Sequence, residues 1–308
     1  MNQPFSTIIG HSAQCEYLQN ILKSGNIAHG FCFSGSKGLG KATIAKEFAA
    51  NLLGLEAEKL QTSPNVTIVR SEEGKGISVE QIRDLKQTLS LSTFGGGWKV
   101  AIIDGAQTMK ASAQNALLKT LEEPTPKTII ILVSHNSNAL LETIKSRVAT
   151  IEFKLVAVDS IKESLKQKFD LDSENAELIG QLSMGRPGFA FACSDEESYK
   201  EQEGLAQDAL QFLQDPLYAR MKKIEELTKL KEDRQQTIQN MVELMRMWLH
   251  ESLLGSLELE CSKQAKELSK THSQEQIKNA LQALQKCESA LARNVGPALA
   301  LQVFASSF

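Results

Sequence analysis

The sequence predicts an α/β fold: a five-stranded, mostly parallel sheet layered with helices, followed by a region built from helices alone. Three observations predict it. Five short apolar runs alternate with helix-patterned segments as far as Phe153. A glycine-rich turn, Gly35 to Lys41, joins the first run to the helix after it. No strand-like run follows Phe153, while stripes of helical period continue to the C-terminus.

In chain order, residues 5–28 hold a helix with Ala13, Tyr17, Leu18, Ile21 and Leu22 on one face. His29 to Phe33 is the first strand. The helix after the glycine turn aligns Ile44, Ala45, Phe48, Ala49 and Leu52. Val66 to Arg70 is the second strand. The next helix start is strongly marked: Ser78 and Gln81 have capping-box spacing, and Ile77 and Ile82 form a hydrophobic staple. Ile82, Leu85 and Leu89 continue it until Gly95-Gly96-Gly97 breaks the chain. Trp98 to Asp104 is the third strand. A helix runs from about Ser112 to Glu122, with Ala113, Ala116, Leu117 and Leu121 inward, and Pro124 stops it. Thr128 to Val133 is the fourth strand, Ala139 to Ile144 a short helix, and Ala149 to Phe153 the fifth strand. Beyond it lie short helices around a Gly185-Arg186-Pro187-Gly188 turn. From Pro216 two apolar stripes follow, one through Met241, Leu244, Met245, Trp248, Leu249 and Leu253, the other through Ile277, Leu281, Leu284, Cys287 and Leu291. Such stripes read as packing between helices, in part between subunits. Asn294 to Pro297 breaks the chain before a last helix.

Composition excludes several classes. The 308 residues carry a net charge of −3, which argues against a nucleic-acid binder driven by bulk charge. No apolar run is long enough to span a bilayer, and the N-terminus lacks a signal-peptide pattern, so a cytoplasmic protein with no membrane partner is expected. Cys15, Cys32, Cys193, Cys261 and Cys287 are far apart and form no metal-binding spacing.

Gly35-Ser-Lys-Gly38-Leu-Gly40-Lys41 fits the G-x-x-x-x-G-K phosphate-binding loop in its strand–loop–helix context. Gly35, Gly38 and Gly40 let backbone N–H groups converge on an anion, and Lys41 would reach the β- and γ-phosphates. The next position, which supplies a hydroxyl to Mg²⁺, is Ala42. Thr43 is displaced by about 100° around the helix. The bland alternative is a glycine turn without a ligand. Asp104, ending an apolar strand, either directs Mg²⁺ or caps the next turn. Gly105 follows where hydrolysing relatives place a water-polarising Glu. Such a base contributes on the order of 10²–10⁴-fold in rate. Arg147 is either an arginine finger for a neighbour's phosphate or a surface arginine in a salt bridge. Lys99, Lys110 and Lys127 are phosphate-contact candidates by residue type alone, with solvated surface charge the plainer account.

Asn115-Ala-Leu-Leu-Lys-Thr-Leu-Glu-Glu-Pro124, followed by Thr143-Ile-Lys-Ser-Arg147, resembles the bacterial clamp-loader subunits of the AAA+ superfamily. Phe5 to Gly10, Ala28-His-Gly30, the Gly35 loop and Ile77 to Asp104 fit the same pattern. It is most similar to the delta-prime family of DNA polymerase III. The resemblance is specific over residues 5–153 and weaker beyond. It implies an AAA+ nucleotide-binding-type domain (1–155), a helical lid (156–214) and a C-terminal helical collar (215–308). It implies a stator-like role in a ring with motor (gamma/tau) and delta subunits that loads the sliding clamp on primed DNA, with little intrinsic ATPase and Arg147 offered in trans. ATP or ADP is the implied nucleotide of Gly35, Gly38, Gly40, Lys41, Ala42, Thr43 and Asp104, with Mg²⁺ only alongside it. Relatives usually carry a four-cysteine zinc module, but no cysteine lies between Cys32 and Cys193, so no zinc and no other metal is expected. The usual Ser-Arg-Cys reads Ser146-Arg147-Val148, and the lid turn lacks the motor subunits' phosphate-sensing arginine. The alternative is an ATP-hydrolysing motor subunit of gamma/tau type. A small-molecule kinase would leave the helical C-terminal third unexplained.

Overall fold

Strict alternation along the strands builds two cores, one on each face of a single sheet. The computed structural model describes residues 4–71, 76–91, 96–169, 171–193, 196–229, 234–255, 263–292 and 295–307. Gly95, Cys261 and Asn294, singled out above, lie outside them. By packing, the chain divides into two units, Met1–Phe191 and Ala192–Phe308.

In the first unit the strands are β1 (Gly30–Ser34), β2 (Val66–Arg70), β3 (Lys99–Asp104), β4 (Thr128–Ser134) and β5 (Ala149–Glu152). They form one five-stranded sheet in the order β2-β3-β4-β1-β5, and every pairing is parallel. Phe31, Phe33, Val100, Ile102, Ile129 and Ile131 face one core, with Leu18 of α1 (Ser12–Ser24) and Ile44 and Phe48 of α2 (Lys41–Leu53). Cys32, Ala101, Ile103, Ile130 and Leu132 face the other. There they meet Ile82, Leu85 and Leu89 of α3 (Val79–Ser90) and Ala113, Leu117 and Leu121 of α4 (Ala111–Glu122). Helices on both faces explain why these strands read as nearly continuous apolar runs. Phe31 meets Phe48 edge-on at 5.6 Å, a favoured aromatic geometry.

The capping box at α3 is formed in both directions: Gln81 N–H donates to Ser78 Oγ at 3.2 Å, and Ser78 N–H to Gln81 Oε1 at 2.9 Å. Helix α1 starts at Ser12, later than residue 5, because Phe5, Gly10 and His11 all take positive φ. Helix α5 (Glu142–Lys145) is shorter than expected. Leu140 and Leu141 are extended, and the N–H of Leu141 is taken by Gln114 Oε1 at 2.7 Å. After β5 come α6 (Val158–Phe169), α7 (Ser173–Ser183) and α8 (Pro187–Ala192). The lid turn bonds directly to the glycine loop, which joins these helices to the first unit.

The second unit is helical throughout its described residues: α9 (Glu196–Gln214), α10 (Leu217–Lys229), α11 (Arg234–Gly255), α12 (Lys263–Thr271), α13 (Gln274–Ala292) and α14 (Pro297–Ser306). Met241, Leu244, Met245, Trp248 and Leu249 of α11 are buried within the single chain as internal core, and Leu253 of the same stripe is partly buried. Phe212 stacks on Phe304 at 6.1 Å. Buried Arg220 donates to the carbonyls of Leu213 and Ala305, near the ends of α9 and α14. Among the described residues no helix is long and apolar enough to cross a membrane, and no group of His, Cys, Asp or Glu is placed to hold a metal ion.

Candidate phosphate loop and rim arginine

The chain leaves β1 toward one edge of the sheet and returns from β4 to make β5 on the other side of β1. The carboxyl end of β1 therefore lies where the connections diverge, the usual ligand position in such sheets. The glycine loop sits there, between Ser34 and Lys41. Gly35, Gly38 and Gly40 have φ of 143°, 83° and 80°. A Cβ on Gly35 would lie 2.2 Å from the Phe153 carbonyl oxygen, so no larger residue fits. The backbone fits an anion cradle.

The side chains around it are committed within the chain. Lys41 is 5% exposed, and its Nζ donates to the carbonyls of Gly35 and Ser36, both at 2.6 Å. Burial pulls its pKa down to about 8, against the upward pull of Asp104. Ala42 packs on the core, and Thr43 is exposed. Asp104 lies 3.6 Å from Arg70 Nε on the adjacent strand. Gly105 takes φ of 86° in the left-handed region. A side chain there has room, but the backbone conformation costs roughly 1–2 kcal/mol for a non-glycine residue. Magnesium finds neither a hydroxyl at 42 nor an unengaged carboxylate at 104. The loop thus fits a phosphate in its backbone and does not fit a metal-assisted hydrolytic site.

Five residues around this site were not among the candidate site residues read from the sequence. Gly188 and Phe189 donate their N–H groups to the Gly38 carbonyl at 2.8 and 3.2 Å, so the lid turn rests on the loop. Arg186 of that turn lies against Gly38: a Cβ on Gly38 would stand 3.2 Å from Arg186 Cδ. Buried His11 contacts the Leu39 carbonyl through Nε2 at 3.0 Å, and burial lowers its pKa. Gln114, buried in α4, donates to the carbonyls of Met109 and Ala139, both at 2.9 Å. Single polar residues carry no periodic signal, and only the Gly-Arg-Pro-Gly turn hinted at the lid.

Arg147 lies elsewhere. A Cβ on Gly30, the first residue of β1, would stand 3.1 Å from the Arg147 carbonyl. Arg147 is therefore at the amino end of β1, and the loop is at the carboxyl end, about 13 Å along the strand. Its Nη1 donates to the Thr143 carbonyl at 2.8 Å and to Ser146 Oγ at 3.1 Å, and Nη2 stands 2.8 Å from Glu122 Oε1.

Of the lysines, Lys99 is withdrawn as a phosphate contact. It is buried, and its Nζ donates to the Leu89 and Leu91 carbonyls at the end of α3. Lys127 donates to the Gly96 carbonyl at 2.9 Å, and Lys110 is exposed.

Residues 10–157 match the family model described as "DNA polymerase III, delta subunit". The delta-prime subunit of Pseudomonas aeruginosa is 35% identical over 176 residues, covering 52% of this chain and 54% of that protein. The tau subunit of Escherichia coli is 30% identical over 176 residues, covering 53% of this chain and 27% of that protein. The chain thus spans about half and about a quarter of the lengths of these relatives. A DNA polymerase III gamma-subunit-related protein of Thermotoga maritima shares the fold, with TM-score 0.51 and 19% identity over 94% of this chain and 97% of that one.

Proposed function

We propose that this protein, whose residues 10–157 match the DNA polymerase III delta family model and resemble delta-prime subunits, is a stator subunit of a DNA polymerase III clamp loader of AAA+ type. It assembles with motor (gamma/tau) and delta subunits to place a sliding clamp on primed DNA. It contributes little hydrolysis of its own and lends Arg147 to the adjacent motor subunit. The carrying observation is the opposition of the two sites. Arg147 lies at the amino edge of the sheet and the glycine loop at the carboxyl edge, so any phosphate Arg147 meets belongs to another chain. Ala42 and Gly105 support the absence of a firing site. Nucleotide, ATP or ADP, would enter the loop only if Lys41 turned from the Gly35 and Ser36 carbonyls to the phosphates. Exposed Leu217 and Tyr218 on α10, and Leu299 and Val303 on α14, supply apolar surface for assembly through the C-terminal unit.

Replacing Arg147 with Ala should lower ATP turnover of the reconstituted complex by about 10³-fold at the neighbouring site, as removal of an arginine finger does, while assembly by gel filtration is unchanged. Undiminished turnover at saturating clamp and DNA would remove the finger assignment. The similarity to tau subunits favours a second reading, a motor subunit with its own hydrolysis. Activity of the isolated chain separates the two.

A further inference from the structure

We propose that Glu122, the last residue of α4, is a positioning residue for Arg147: its carboxylate fixes the plane in which the guanidinium is presented. The inference rests on the trans reading of Arg147 given above. Arginine has five N–H donors on a rigid fork. Two are bonded inside the chain through Nη1, to the Thr143 carbonyl and Ser146 Oγ. Those bonds hold the Nη1 end of the planar fork and leave the Nη2 end to another acceptor. The Glu122 carboxylate, 2.8 Å from Nη2, holds that second end of the fork.

Stability does not account for the pair. The Arg147 and Glu122 side chains are 35% and 46% exposed, and exposed pairs contribute little to folding. Orientation gains more, because a planar fork engages a phosphate only in a narrow range of angles. Glu122 is also well placed to be rigid. Gln114, two turns earlier in α4, is tied to Met109, Ala139 and Leu141, so the helix is anchored on both sides.

The test uses the reconstituted complex with Arg147→Ala, Glu122→Ala and Glu122→Gln. Glu122→Ala should lower kcat about three- to fivefold with KM for ATP and assembly unchanged. Glu122→Gln, which keeps an acceptor, should restore most of that loss. In the isolated chain, phenylglyoxal should modify Arg147 faster in Glu122→Ala, read by peptide mass. An Arg147→Ala complex as fast as wild type would sink the trans reading and this inference with it. A slow Arg147→Ala complex beside an unchanged Glu122→Ala complex overturns the inference alone. So does a faster Glu122→Ala complex, which would make the carboxylate a competitor, or an unchanged phenylglyoxal rate.

Discussion

Lys41 is the side chain on which the loop's chemistry turns. Its ammonium has left water for two carbonyls of its own loop, and burial lowers its pKa to about 8 from an unfolded value of 10.5. Below pH 8 both states are protonated, and the burial penalty is a constant cost to folding. Between these values the unfolded chain holds more protons than the folded one, so the contribution of Lys41 to stability rises with pH. Urea unfolding of wild type and Lys41→Met at about pH 7.5 and about pH 9.5 should show the difference moving in favour of the wild type at the higher pH. A difference that stays flat would mean that the ammonium is better solvated than its surroundings imply. Ala42 and Gly105 were readable from the sequence as blanks. The left-handed backbone of Gly105 was not, and it means that a Glu placed there meets conformational strain before it meets water.

At the scale of elements, the strongest local signals gave the most secure structure. Ser78 and Gln81 cap α3 because two backbone N–H groups at the helix start need acceptors and both side chains reach them. Ser78→Ala should cost about 1 kcal/mol, measured by urea midpoint at unchanged m-value. A loss near zero would mean that water replaces the cap. The five strands and helices α2 to α4 were legible because a period of 2 or 3.6 is imposed by burial on one face. The start of α1 and the length of α5 were not. Positive φ at Gly10 and His11, and the claim of Gln114 on the Leu141 N–H, come from groups remote in sequence. Lys99 is the same lesson in charge: residue type suggested a phosphate contact, and a neighbouring helix end had already taken its ammonium.

For the whole molecule, the proposed stator role joins two expectations: little hydrolysis by the chain itself and an arginine lent to a neighbour. The purified chain should turn over ATP no faster than its Lys41→Ala variant, in a phosphate-release assay. Turnover of about 1 s⁻¹ or more, ordinary for an ATPase-like enzyme, would favour the motor reading. What the residues dictated alone was local: strands that alternate, helices that cap and stop, a glycine turn shaped for an anion, and two catalytic positions left without functional groups. Each of these follows from steric limits and periodic burial within a few residues. Folding in three dimensions settled which polar groups meet: Lys41 with its own loop, the lid turn with Gly38, Arg70 with Asp104, and Glu122 with Arg147. Those pairings depend on strand order and on which end of the sheet a loop leaves. No short-range pattern encodes them, because the partners become neighbours only once the sheet has formed.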